Sequence, residues 1–310
     1  MISFQGQISR RWRVLSLCWG MALAFLAGCG DQRAPSAEPA YSARPPSLQR
    51  EMVFGVHPLH NPQKLDAVYG PLVAHLNAQL GDVKLRLEAS RDYSAYEDKL
   101  FGRQFEFALP NPYQTLRALQ HGYKVFGRVD QEGEFRGLFV ARRDSPVRAV
   151  ADLRGKTIAY PAPTALAATM MPQFFLRQHG LDLMRETQSR YVGSQESSIL
   201  NAYRGDAAAA ATWPPPWRAF VKEHPAEAAE LKVMWETDPL PGNSLVVRDD
   251  VPPELAARVV RILTTLHQSE AGRTILAGME AHGIVPATED TYIPVRVFLD
   301  EFSRTVRPLE

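Results

Sequence analysis

Three stretches of this chain place amide and hydroxyl side chains where a strand gives way to a helix. Asn111 follows Phe107-Ala108-Leu109-Pro110 and precedes Pro112-Tyr113, Thr164 follows Pro161-Ala162-Pro163, and Ser194-Gln195-Glu196-Ser197 follows Val192-Gly193. Asn, Thr and Ser cap helices because their side-chain oxygens accept from first-turn N–H groups that have no partner within the helix. Pro112 stands at a first helical position, where a missing N–H costs nothing. A helix that starts at a strand's end also offers an anion its free N–H groups and the positive end of its dipole. Three such ends together would hold one small oxyanion with little formal charge. For any one junction, a capped helix without a ligand is the plain alternative. Asn111, Tyr113, Thr164, Ser194, Gln195 and Ser197 are accordingly the candidate hydrogen-bonding residues.

Other residues qualify as walls of such a site. His57, with His60 three residues on, lies just past the first apolar strand, and Trp213 and Trp217 flank Pro214-Pro215-Pro216. The two histidines have metal-ligand spacing, but no Cys or acidic partner follows nearby, so no metal is expected. His57 is a candidate ligand contact. Trp213 offers an aromatic face that is adhesive without charge. Tyr93 opens a helix after Arg91-Asp92 and is placed to donate a hydrogen bond. No Gly-x-Ser-x-Gly, Walker loop, His-Glu-x-x-His or dinucleotide glycine fingerprint is present, so neither catalytic residues nor a cofactor are assigned.

The elements that must position these residues alternate. Met52–Val56, Val83–Leu87 and Phe105–Leu109 read as strands, separated by helices on Leu65–Leu80 and Tyr93–Phe101. Lys124–Val129 and Phe135–Ala141 read as two strands around a turn at Glu132-Gly133. A second series runs through strands at Lys156–Tyr160, Arg190–Val192, Ala207–Thr212, Leu231–Trp235 and Ser244–Val247, with helices on Ala165–His179 and Glu196–Arg204. Amphipathic helices on Pro253–Leu266 and around Val295–Phe302 close the chain. Strands separated by helices imply an α/β fold with largely parallel sheets covered on both faces. Two such series joined in mid-chain imply two lobes with a cleft between them. Turns at Asp144-Ser145-Pro146 and Asp238-Pro239-Leu240-Pro241-Gly242 set the expected limits: lobe 1 from 51–147 and 243–310, lobe 2 from 148–242.

The beginning of the chain is of another kind. Arg10, Arg11 and Arg13 precede a nearly unbroken apolar run over Val14–Ala27, the pattern of a secretory signal. Leu26-Ala27-Gly28-Cys29 resembles the lipobox of bacterial lipoproteins, which implies a signal over 1–28 and acylation of Cys29. The proline-rich segment 29–50 reads as a flexible tether. Gly30-Asp31 leaves the inner or outer membrane open and leans to the outer. Removing the three leader arginines takes Lys+Arg from 35 to 32 against 34 Asp+Glu, a net charge near −2. That balance excludes a nucleic-acid binder relying on bulk charge. With Cys18 in the leader and Cys29 acylated, the folded part has neither a disulfide nor a thiol nucleophile.

Several segments together resemble a known family. Gly55-Val56-x-Pro58 before a long helix, the Phe107–Asn111 junction, Asp144-Ser145-Pro146, Asp152–Ala159, Gly205–Ala209 and Pro239–Gly242 resemble phosphate/phosphite/phosphonate-binding lipoproteins of ABC importers. The resemblance covers roughly 51–279. It implies the two-lobed type II periplasmic binding protein fold, a cleft ligand that is a small oxyanion or carries one, and an ABC permease as partner. It also implies a periplasmic, lipid-anchored monomer. Phosphonate binders carry a hydroxyl-rich run where this chain has Pro163-Thr164-Ala165-Leu166, and a histidine where it has Ser194. Ala211-Thr212-Trp213-Pro214 resembles instead the Trp-Asp-Pro corner of sulfonate binders, without the acid. The same fold could alternatively serve a membrane kinase or cyclase as a sensor, or hold a degenerate site and bind a protein.

Overall fold

The computed structural model describes residues 50–131 and 133–309. The signal, Cys29 and the tether up to residue 49 lie outside the described residues. The first half contains β1 (Arg50–Val56), α1 (Pro62–Leu80), β2 (Val83–Ala89), α2 (Tyr93–Phe101), β3 (Phe107–Leu109), α3 (Pro112–Leu119), β4 (Tyr123–Asp130) and β5 (Leu138–Arg142). Then follow β6 (Thr157–Tyr160), α4 (Met171–Gln178), α5 (Leu183–Glu186), β7 (Gln188–Tyr191), α6 (Gln195–Arg204), β8 (Ala209–Thr212), α7 (Pro214–Glu223), α8 (Pro225–Ala229) and β9 (Leu231–Glu236). The chain ends with β10 (Ser244–Arg248), α9 (Pro253–Thr264), α10 (Glu270–Gly278), β11 (Gly283–Val285) and α11 (Ile293–Thr305).

Two sheets form, six-stranded in the order β11-β4-β10-β3-β1-β2 and five-stranded in the order β7-β6-β8-β5-β9. They are mixed, where largely parallel sheets were expected. β1 runs parallel to β2 and β3, and β6 parallel to β7 and β8. The strand entering each sheet after a crossing runs the other way: β10 pairs antiparallel with β3 and β4, and β5 with β8 and β9. This corrects the expected lobe limit at 147. β4 and β5 are not partners in one sheet, and β5 lies wholly in the second lobe. The crossings therefore lie between β4 and β5 and between β9 and β10, and they run side by side. Thr237 N–H donates to the Gly137 carbonyl (3.0 Å), Gly137 N–H to Thr237 Oγ1 (2.9 Å), and Leu240 N–H to the Phe135 carbonyl (3.0 Å). Adjacent crossing segments are the geometry of a hinge.

Local chemistry explains the element starts. Asn61 caps α1 by accepting from Lys64 N–H (2.9 Å), with Pro62 at the first position, and Gly81 leaves the helix at φ +67°. Leu65, Tyr69, Leu72, Val73, Leu76 and Leu80 of α1 are buried against the first sheet, each fully buried aliphatic side chain contributing about 1.5–3 kcal/mol. Pro214-Pro215-Pro216 opens α7. Prolines there remove N–H groups that a first turn cannot use in any case. One apolar cluster joins the lobes: Met52, Phe54 and Leu109 of the first pack in it with Ala165, Leu166, Met170 and Trp213 of the second.

Candidate functional site

The carboxyl ends of strands from both sheets converge on one place. His57 follows β1, Tyr93 begins the helix after β2, and Asn111 follows β3. From the second lobe come Ala165–Ala168 after β6, Gln195 after β7 and Trp213 after β8. With Phe135 on the crossing segment, these residues line a shared cavity of about 10 Å³, roughly the room one water needs.

Asn111 caps α3: its Oδ1 accepts from Gln114 N–H (3.0 Å), while Gln114 Oε1 accepts from Asn111 N–H (3.1 Å). Its other end crosses the cleft, Nδ2 donating to the Thr164 carbonyl (3.1 Å). Gln195 makes the second crossing. Its Nε2 donates to Tyr93 Oη (3.2 Å), and its Oε1 accepts from Thr212 Oγ1 (3.0 Å). These side chains thus hold the two lobes to one another across the gap. Burial raises the Tyr93 phenol pKa, so it remains a neutral hydroxyl. His57 is almost fully buried, and desolvation pulls its imidazole down to about 4 against the lesser upward pull of its bond to Leu109. Its Nδ1 lies 2.9 Å from the Leu109 carbonyl. A carbonyl only accepts, so Nδ1 carries the proton and Nε2 is left as an acceptor.

Thr164 was expected to cap the helix after β6, and it does not. Ala165 occupies the cap position without a side-chain bond, and Leu166–Met170 wind as a turn of i→i+5 pattern before α4. The first bond of that turn runs from Met170 N–H to the Ala165 carbonyl (3.3 Å). The N–H groups of Leu166–Thr169 precede it and have no hydrogen-bond partner among the described residues. Gly137 lies close beneath: a Cβ there would sit 2.7 Å from the Ala167 carbonyl oxygen and 2.7 Å from Pro172 Cδ.

Three other candidates sit elsewhere. Tyr113 is buried in the first lobe, its hydroxyl accepting from Arg117 of the same helix (3.0 Å). Ser194 caps α6 by accepting from Ser197 N–H (3.1 Å) and donates to Ser197 Oγ (2.9 Å). It lines an adjoining crevice with His60, Lys64 and Glu196. Phe135, whose ring lies 5.4 Å from Trp213, and the small Leu166–Ala168 run are members the sequence reading missed. The run after β6 could be noticed only by its lack of hydroxyls, and Phe135 carried no signal. No Asp, Glu, Lys or Arg lines the cavity among the described residues, so an anion there meets only dipoles.

Charged pairs also bridge the lobes, and α7 supplies most of them. Lys64 Nζ of α1 meets Glu223 of α7 at 2.5 Å, and Arg218 of α7 meets Glu134 (2.5 Å) and Glu280 (2.7 Å). After α11, Arg307 reaches into the second lobe, donating to the Pro163 carbonyl (2.6 Å) and Gln173 Oε1 (3.0 Å).

A family model described as "ABC transporter, phosphonate, periplasmic substrate-binding protein" matches residues 54–292. The chain belongs to that family. The family is one of transport substrate-binding proteins of the periplasm rather than of enzymes. Solved structures share the two-lobed α/β architecture. A binding protein component of an ABC phosphonate transporter from Pseudomonas aeruginosa superimposes with a TM-score of 0.77 at 17% identity, over 83% of this chain and 88% of that one. A methylphosphonate complex from Prochlorococcus marinus gives 0.75 at 18%, over 82% and 97%. The aliphatic sulphonate binding protein of Escherichia coli gives 0.60 at 15%, over 83% and 88%.

Proposed function

We propose that this family member captures a small phosphorus oxyanion, or an organic compound bearing one, by exchanging its cross-cleft bonds for bonds to the ligand. The observation that carries this reading is the convergence of Asn111, Gln195, Tyr93, His57 and the helix-start backbone of Leu166–Ala168, from opposed lobes, on one cavity that no Asp, Glu, Lys or Arg lines among the described residues. A cavity of about 10 Å³ does not admit a tetrahedral oxyanion, so capture requires the lobes to part about the paired crossings and reclose. The neutral bonds and ion pairs that must break are weak, and the apolar cluster and the Arg307 bonds that also join the lobes add to the cost of opening. The two neutral cross-cleft bonds contribute about 0.5–1.5 kcal/mol each and the bridging ion pairs about 0.2–1 each, whereas micromolar binding supplies about 8 kcal/mol.

The reading extends to the rest of the chain. Acylation of Cys29 would hold the protein on the membrane through the 29–50 tether, and mass spectrometry of the lipid-modified N-terminus tests it. The closed, loaded form would be presented to an ABC permease as a monomer. A second reading, a sensor or protein-binding lipoprotein with a degenerate ligand site, draws on the same small cavity and on the hydroxyl-free Ala165–Ala168 run. A thermal-shift panel of phosphate, phosphite, phosphonates, sulfonates, nitrate and small carboxylates separates the two. A ligand at a hundred times its Kd stabilises the fold by about 2.7 kcal/mol, and a flat panel would favour the second reading.

A further inference from the structure

The buried face of His57 has a polarity that the oxyanion reading alone does not use. Its Nδ1–H is committed to the Leu109 carbonyl at 2.9 Å, and its backbone N–H donates to the same oxygen at 3.2 Å. Two donors on one carbonyl fix both the tautomer and the ring's orientation. Nε2 has no hydrogen-bond partner among the described residues, and His57 lines the cavity while only 2% exposed. The ring is packed by Tyr93 and Tyr96, with centroids 6.3 Å and 6.4 Å away. The side chains around the cavity therefore include donors (Asn111, Gln195, Tyr93) and one orphaned nitrogen acceptor.

We infer that His57 Nε2 is a specificity determinant that accepts a hydrogen bond from an acidic O–H of the ligand, and so selects singly protonated phosphorus oxyanions over sulfonates. The inference rests on the oxyanion reading above. A phosphonate or phosphite monoanion keeps one P–OH, which donates to Nε2 while its other oxygens accept from the N–H groups and amides. The proton stays on the ligand. A sulfonate of the same shape has no such proton, and places an oxygen lone pair against the nitrogen lone pair. Sites built to hydrogen-bond a substrate hydroxyl reject analogues lacking it, because a buried group is then left unpaired. The charged and titratable neighbours do not disturb this polarity. Tyr93 and Tyr96 are buried neutral phenols, and the His60 imidazole is itself pulled down to about 3, by burial first and by Lys64 next, so it too stays uncharged. The His57 imidazole, held down to about 4 by burial, remains an acceptor at neutral pH.

The decisive comparison is methylphosphonate against methanesulfonate, near-isosteric ligands that differ in the proton. Calorimetric titration of the purified protein near neutral pH is expected to favour methylphosphonate by about 10- to 100-fold, the range for one buried group left unpaired. Its affinity is expected to fall about tenfold per pH unit once the ligand loses its second proton. His57→Phe should collapse the ratio toward one. A merely structural role would instead weaken both ligands alike and leave the ratio standing. Should that variant not fold, the wild-type pH profile and the nitrogen NMR shift of His57 in the complex, expected for an unprotonated, hydrogen-bonded Nε2, carry the test alone. Equal affinity for the two ligands, or tighter binding as the phosphonate becomes a dianion, overturns the inference and leaves the oxyanion reading intact. Binding of neither ligand, with no shift across the anion panel, overturns both.

Discussion

Asn111 has two jobs at two ends of one side chain, and a short substitution series separates them. Its Oδ1 accepts from Gln114 N–H within the first lobe, and its Nδ2 donates to the Thr164 carbonyl across the cleft. Asn111→Ala removes both. The lost cap costs about 1 kcal/mol. The lost cross-cleft bond, with a buried carbonyl left unpaired, costs about 1–3 kcal/mol more. Asn111→Ser keeps an oxygen able to cap but cannot reach Thr164, so only the second amount should be lost. For a folded unit of this size each kcal/mol lowers the melting temperature by about 2–3 °C. The alanine variant should therefore melt about 4–12 °C below wild type and the serine variant about 2–9 °C below, always closer to wild type than alanine. Calorimetric melts of the three proteins side by side decide it. An alanine variant within 1 °C of wild type would refute the assignment of either job. Equal losses for serine and alanine would refute the cap alone.

Further expectations follow from single observations. Gly137→Ala places a methyl 2.7 Å from both a carbonyl oxygen and a proline ring of the second lobe, neither free to swing aside, and should cost about 1–3 kcal/mol, read by denaturant titration; an unchanged midpoint would contradict that contact. His57 is pulled from 6.5 to about 4 on folding, so the unfolded chain takes up a proton that the folded chain refuses. Its contribution is complete above pH 6.5 and is lost as the pH falls toward 4, by about 3 kcal/mol in all; His57→Gln should flatten the stability profile across that window. Arg218→Ala removes both α7 ion pairs to Glu134 and Glu280. These are part-exposed, so stability should change by no more than about 1–2 kcal/mol. Small-angle scattering should nonetheless show a larger radius of gyration, with the difference from wild type shrinking in high salt; identical radii would remove α7 as a clasp.

What could be read from the sequence is what local interactions decide. The caps at Asn111 and Ser194 are i→i+3 contacts, so residue type and spacing suffice to find them. The apolar period of α1 and its Gly81 stop are legible for the same reason. The turn after β6 was misread because Thr164 has a capping side chain but the backbone begins its turn one residue later, at Ala165. α7 was not assigned, because three consecutive prolines hide a helix start, although a helix tolerates them in its first turn. Tyr113 was placed in the cleft on the strength of its neighbour Asn111, whereas helical periodicity carries it to Arg117.

By itself the sequence determined the alternation of strands and helices, the helix starts at Asn111 and Ser194, and the family resemblance carried by such junctions. Each of these depends on residues within a few positions of one another. The tertiary structure alone decided that β5 joins the second sheet, since its partners β8 and β9 lie some seventy to a hundred residues downstream. It alone decided that Gln195 meets Tyr93, a pair separated by 102 positions, and that the donors of both lobes close on one another around about 10 Å³. Such pairings are set by how two independently patterned sheets pack across a hinge, and no local period or capping rule encodes that packing.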